Sequence, residues 1–247
     1  MANPVTVQVG NVKLTAEKPV TSGNFTKTVK LWFESTKGAF DFMQSLKKAA
    51  ILCGNEHIET QSKRYIAGTS VMRVPSTFMA INDTIQAYKK DKVFDLQRKA
   101  DFSHQLFDCG TMLAYTTAFF STNITNPLKA AAILSLGNDL TDAASSGVKI
   151  NNGLEWKQRL VSAGPLLQRA NHNILVNSLL KLIKAVTGLV AGIFASFALF
   201  TGAVLVSPTV AVTVALASTI FSVLAHYHNN YWCDSFLKIE YMPVKFA

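Results

Sequence analysis

Between Ala185 and Ala225 the chain has no Lys, Arg, Asp or Glu, a run of 41 residues interrupted only by Ser207-Pro208-Thr209. That absence excludes an ordinary solvent-facing helix, because soluble core helices seldom run so long without a charge on either face. Cysteine is scarce too. Cys53, Cys109 and Cys233 lie far apart and are odd in number, which excludes a disulfide framework and fits a reducing compartment. No P-loop, dinucleotide fingerprint, Gly-X-Ser-X-Gly elbow or HExxH motif occurs. The five histidines, at 57, 104, 172, 226 and 228, pair with no Cys or carboxylate at a ligand or triad spacing. His226-Tyr227-His228 with Cys233 comes nearest to a metal set and reads instead as a polar cluster where a membrane segment ends. Asp108, inside an apolar stretch, is a single carboxylate and makes no active site. The chain is therefore expected to be no enzyme and to carry neither metal nor cofactor. The first 25 residues lack an apolar run of signal-peptide length, so neither a cleaved secretory signal nor an anchor is expected there. The sequons at Asn24, Asn82 and Asn123 are assigned no role.

What the chain has is segregation. Residues 1–184 hold 22 of the 24 Lys and Arg and 13 of the 15 Asp and Glu, so all nine excess positive charges lie there (22 − 13) and the remainder is neutral. The first apolar half, Ala185 to Val206, would reach roughly 33 Å as a helix, against a hydrocarbon core of about 30 Å. The second, Thr209 to Tyr227, would reach roughly 28 Å, with Tyr227, Tyr231 and Trp232 placed for the headgroup level. Pro208 lacks an amide proton and disfavours helix at Ser207, so Ser207, Pro208 and Thr209 are expected to form the turn of a helical hairpin. Both ends of such a hairpin emerge on one side. Small residues recur every four positions, Gly188, Gly192 and Ser196 on one leg and Ala211, Ala215 and Thr219 on the other, a spacing that lets backbones approach within the hairpin or against another copy. The same spacing also arises from composition alone in Ala- and Gly-rich segments. A hairpin buried inside a soluble bundle is the alternative for the whole block.

Residues 1–24 read as a flexible tail or a short β-hairpin, with Val5, Val7 and Val9 alternating before Gly10-Asn11. Residues 25–184 read as amphipathic helices. Phe40, Met43, Leu46 and Ala50 mark the first, behind Ser35 and Thr36 as caps, and Thr60 to Val74 the second, ending before Pro75. Phe78, Ile81, Ile85 and Tyr88 mark a third. A fourth runs from about Asp91 to Ser121 with Phe102, Leu106, Cys109, Leu113 and Phe120 on one face. Asn126-Pro127 opens a short helix closed by Gly137, and the polar stretch from Gly137 to Gly153 is expected as a loop. From Leu154 a helix is expected to kink at Gly164-Pro165 and continue without a stop into the first apolar leg. Residues 185–228 form the membrane hairpin and 229–247 a C-terminal tail. The fold class is all-α, a cytosolic bundle continuous with a two-helix transmembrane hairpin.

Lys181 and Lys184 immediately before the first leg, with no charge in the turn, place both termini on the cytosolic side. Nucleic-acid binding would want basic residues clustered with aromatics in a reader motif, and here they are spread beside acids over several helices. Anionic headgroups fit better, with Lys89, Lys90 and Lys92 as the densest patch and Lys181 and Lys184 beside the membrane. The expected partners are therefore anionic lipid and a cytosolic protein, with self-association through the small-residue stripe and no nucleic acid.

The layout of two apolar segments joined by Ser207-Pro208-Thr209 resembles the bilobed hydrophobic domain of the inclusion membrane proteins of chlamydiae. That resemblance implies a type III secreted effector, inserted in a vacuole membrane with both ends toward the host cytosol, that recruits host proteins or shapes the inclusion. A second similarity joins Lys63, Tyr65 and Gly68 in "SKRYIAG" with Asp108 in "LFDCGTML". These look like the basic-aromatic-glycine and aromatic-aspartate helices of the peroxin-eleven family, which elongates peroxisomal membranes. Ile66 stands where that family prefers Arg, and Arg64 replaces an apolar position. Both resemblances imply an α-helical membrane protein that remodels or decorates an organelle surface. A non-catalytic scaffold whose helices bind a protein partner is the alternative, because amphipathic helices serve either end.

Overall fold

The structure is a computed structural model that describes residues 6–17, 25–121, 125–229, 233 and 235–242. Alternation of Val7 and Val9 with polar residues produces β1 (Thr6–Val9), which turns at Gly10-Asn11 into β2 (Val12–Glu17). Gly10 supplies the positive φ, +58°, that the tight turn needs. β2 then pairs antiparallel with β3 (Phe236–Tyr241), in the register Val12↔Tyr241 to Glu17↔Phe236. The two ends of the chain, read from sequence as separate tails, thus share one sheet. It is anchored by Leu14 and Leu237, which bury against Trp156, Leu160, Leu167 and Ala170.

Seven helices follow β2 among the described residues: α1 (Phe25–Glu34), α2 (Thr36–Leu52), α3 (Glu56–Asp91), α4 (Leu96–Phe120), α5 (Thr125–Arg159), α6 (Pro165–Thr201) and α7 (Pro208–Tyr227). The fold class is all-α, as the periodicity implies. Each of α3 to α6 packs against the helix that follows it, and α2 packs against α3, α6 and α7. From Gly38 to Leu52 no residue of α2 is exposed, so α2 is the central helix and the others wrap it. It starts cleanly because Ser35 is the N-cap, its hydroxyl accepting from the Gly38 amide at 2.9 Å.

Three helix boundaries differ from the sequence expectation. Pro75 does not end a helix; α3 runs through it for 36 residues. Proline removes one backbone hydrogen bond, and packing of α3 against α2 and α4 on either side outweighs that local loss. The expected loop from Gly137 to Gly153 is the middle of α5. Its small polar residues serve close packing. Ser145 and Ser146 are buried, and a Cβ on Gly137 would lie 2.3 Å from the Phe107 ring, closer than any real contact. Gly164-Pro165 is a break and not a kink: α5 ends at Arg159, and Pro165 takes the first helical position of α6, where its missing amide costs nothing. From there α6 does run unbroken into the apolar leg, as expected.

Candidate functional site

The apolar block folds as a helical hairpin of the C-terminal half of α6 with α7. Its connection is longer than Ser207-Pro208-Thr209. α6 stops at Thr201, Gly202 caps it in the left-handed region at φ +73°, and α7 begins at Pro208. Ala203 to Val206, assigned above to the first leg, therefore belong to the turn, with Val204 and Leu205 exposed at its tip. Ser207 is the N-cap of α7, Pro208 its first residue, and Thr209 already lies within the helix. Both α6 and α7 are long and apolar enough to cross a membrane, and one third of the most apolar stretch of each is buried inside the protein.

The sorting of side chains on the two legs runs opposite to that of a water-soluble core. Gly188, Ala191, Gly192, Ala195 and Ala198 of α6 and Ala211, Ala215 and Thr219 of α7 face inward. Val186, Ile193, Phe197 and Phe200 of α6, and Val210, Leu216 and Ile220 of α7, face outward. α4 differs, burying the large Met112 and Tyr115 against Phe40 of α2 while still exposing apolar residues. Of the face expected to be its apolar side, only Cys109 is buried; Leu106, Leu113 and Phe120 are exposed, and Met112, Tyr115 and Ala118 point inward with Cys109. On the legs, small residues inside and large apolar ones outside leave a broad exposed apolar surface, the kind that marks contact with lipid or another protein.

The small-residue stripes converge on α2. Ala49 packs with Ala191 and Ala215, and Leu52 packs with Ala195, Ala198 and Ala211. A Cβ on Gly188 would meet Ser218 and Asp139 at 3.1 and 3.2 Å, and one on Gly192 would meet Leu136 at 2.7 Å and Lys48 at 3.4 Å. Gly188 thus faces both α7 and α5, Gly192 faces α5 and α2, and Ser196 is half-buried on the same leg.

Against these stripes the interior holds charge. Lys48, on buried α2, donates to Asp139 at 3.0 Å and to the Gly188 carbonyl at 2.9 Å. Two turns toward the N-terminus of α2, Asp41 lies 3.5 Å from Lys184, which also lies 3.8 Å from Asp142. Arg73 reaches Asp108 at 3.4 Å, and Lys47 donates to the Tyr115 hydroxyl. Burial pushes the Asp41 and Asp142 carboxyls up, and Lys184 chiefly, with Lys37, outweighs it, so both end below the usual carboxylate range. Burial, with Lys63 near, lowers the Lys47 ammonium to about 8, and burial raises the Tyr115 phenol. Sequence reasoning missed Asp41, Lys48, Asp139 and Asp142. The signal was present. Asp41, Ser45, Lys48 and Leu52 on α2, Asp139, Asp142, Ser146 and Lys149 on α5, and Lys181, Lys184, Gly188 and Ala191 on α6 all recur at three- and four-residue spacing. Each set is one helix face.

The lysines expected at lipid headgroups separate into two groups. Lys89, Lys90 and Lys92 are exposed together at the α3–α4 connection, where Asp91 turns inward and takes both Arg98 amino groups, at 2.5 and 2.7 Å. Lys181 and Lys184 turn into the bundle interior instead, because their face of α6 is the one that packs on α5 and α2. Tyr227 ends α7 half-buried, and Tyr231 and Trp232 lie outside the described residues. Cys233 Sγ lies 3.4 Å from His228 Nδ1, while His226, two residues earlier on the helix, lines the interior. Among the described residues no group of three or more His, Cys, Asp or Glu is placed to hold a metal ion. No family model, no curated protein and no solved structure matches the chain.

Proposed function

We propose that this is an integral organelle- or vacuole-membrane protein, without a reaction of its own, that decorates or remodels the membrane it enters and recruits partners there. One observation supports the reading most: on α6 and α7 the small side chains face the protein and Val186, Ile193, Phe197, Phe200, Val210, Leu216 and Ile220 face away from it. In water such a surface would cost about 25 cal/mol per Å² of apolar area left exposed, whereas hydrocarbon removes that cost. In this reading α6 and α7 cross as a hairpin. Both termini stand on the same face because β2 and β3 are paired, and the basic α3–α4 connection is available to anionic headgroups and a cytosolic or host protein. Secretion as an effector belongs to the same proposal, on the hairpin layout alone.

The packing of α2 favours a second reading. Leu52, Ala49 and the Lys48–Asp139 pair lie between the legs and α5, so the hairpin is also one side of a closed bundle. A soluble bundle that buries its apolar flank against a protein would use the same contacts. Carbonate extraction and detergent partitioning of the full chain, with imaging of liposomes after its addition, decide between them. Retention in the carbonate pellet and reshaped liposomes are expected; a protein recovered in the carbonate supernatant would sink the membrane reading.

A further inference from the structure

Above the Asp41–Lys184–Asp142 cluster the bundle surrounds a cavity of about 540 Å³, walled by the α1–α2 junction and by α4, α5, α6 and α7. Four ammonium groups line it, those of Lys37, Lys149, Lys181 and Lys184, against three carboxylates. All three carboxylates are already engaged. Asp101 accepts from Lys149 at 2.8 Å and from the Ser145 hydroxyl, and Asp41 and Asp142 flank Lys184. Neither Lys37 nor Lys181 has an ion-pair partner within 4 Å among the described residues. Lys181 is half-buried in the α6 wall and Lys37 stands exposed at the α1–α2 edge, so one cation lies inside the cavity and the other at its rim. Ser146 and Ser222 line the same space, the Ser222 hydroxyl donating to Asp41 at 3.4 Å.

The four ammonium groups exceed the three carboxylates by one charge, and Lys37 and Lys181, which make no ion pair, are the two left to meet a doubly charged oxyanion such as phosphate. Lysine binds such groups as a point charge without the fork geometry that arginine imposes. The volume lies within the range of small-molecule sites and far exceeds one phosphate, leaving room for what the phosphate is attached to. We propose that the cavity binds a phosphorylated ligand, with its phosphate or pyrophosphate group held by Lys181 and Lys37 and its remainder filling the space toward α7. The chemistry is shared by a soluble organic phosphate and by a phosphorylated inositol headgroup. The inference stands whether or not α6 and α7 cross a bilayer.

The test uses full-length protein in micelles, with calorimetric titration and thermal unfolding in the presence of pyrophosphate or inositol trisphosphate. Binding should raise Tm by about 3 °C or more at saturation, since a ligand that binds only the folded state stabilises it. Lys181→Gln should weaken binding by about tenfold or more, the scale of one lost charge-assisted hydrogen bond, while leaving the ligand-free Tm unchanged or higher because an unpaired, half-buried cation has been removed. Lys37→Gln, at the rim, should weaken binding without touching the interior packing, and Lys157→Gln, exposed and outside the cavity, should bind as wild type. A parallel arm uses phosphatidylcholine vesicles with and without phosphatidylinositol phosphate. Lys181-dependent binding to the doped vesicles alone identifies a headgroup as the ligand, and Lys181-dependent binding of the soluble compounds identifies a free phosphate. Absence of binding in every arm, or binding that both Lys181→Gln and Lys37→Gln leave intact, overturns the proposal.

Discussion

α3 and the α6–α7 hairpin lie on different sides of the same central helix, and they treat the outside in different ways. The first half of α3 shows Glu56, His57, Thr60, Gln61 and Arg64 to the exterior, with Lys63 paired to Glu59 along the helix. The legs facing α2 from the other side expose Val, Ile, Leu, Phe and a few hydroxyls between Ala185 and Ala225, with Gly202, Ala203 and Pro208 at the turn, and no charged residue. Toward α2, the contrast narrows: Ser62, Thr69 and Ser70 of α3 are buried, and so are the small residues of α6 and α7. The legs give the interior small residues, whereas α3 and α4 also give it Ile66, Met112 and Tyr115, packed with Phe40 of α2. The first half of α3 is thus suited to water and the legs to an apolar medium, while further along α3 Met72, Phe78 and Met79 are exposed too.

The comparison breaks most severely from the inside. Asp139→Ala leaves the Lys48 ammonium buried without its carboxylate, a change that costs about 3–5 kcal/mol when a buried pair is split. Denaturant unfolding in micelles should show that loss, while Asp139→Asn, which keeps an acceptor, should lose less. On the apolar flank, Ile193→Lys or Ile220→Lys should cost about 2.5–3.5 kcal/mol of insertion each and shift the protein toward the carbonate supernatant. Tyr65→Lys on the outer side of α3 should leave the partition unchanged; equal effects on both flanks would erase the distinction. A smaller effect is expected of Gly192→Leu, whose side chain must displace Leu136 and crowd Lys48. Overpacking of this kind costs about 1–3 kcal/mol, and a thermal unfolding midpoint in detergent equal to wild type would show that the close approach of α6 to α5 and α2 carries no stability. The smallest effect belongs to the basic connection. Replacing any one of Lys89, Lys90 or Lys92 by Gln should weaken binding to anionic vesicles by about 1 kcal/mol, an effect that added salt removes. Unchanged affinity in low salt would separate that patch from any lipid role.

Much of the architecture was legible because its causes are local. The apolar run and its proline announce the hairpin, Gly10-Asn11 the β-turn, and Asn126-Pro127 a helix start, since each depends on residues a few positions apart. The stretch from Gly137 to Gly153 misled for an equally physical reason. Gly, Ser, Asn and Asp are loop residues when nothing packs on them, and here α4 and α6 press so closely on α5 that larger side chains would not fit. Lys181 and Lys184 read as headgroup contacts because they precede an apolar run; their direction depends on which face of α6 meets α5 and α2, and spacing alone does not contain that.

Hydropathy and turn chemistry by themselves determined the all-α class, the two apolar legs and the charge-free connection between them, because backbone sterics and water act on every segment independently of the rest. Only the tertiary structure decided that α2 stands at the centre, that large apolar side chains of α6 and α7 point away from it, and that Lys48, Lys184, Asp41, Asp139 and Asp142 meet inside. Those outcomes rest on contacts between residues far apart in the chain, such as Lys48 with Asp139 across 91 positions. The pairing of buried charges and the fit of small residues against a neighbouring helix exist only once the helices are brought together.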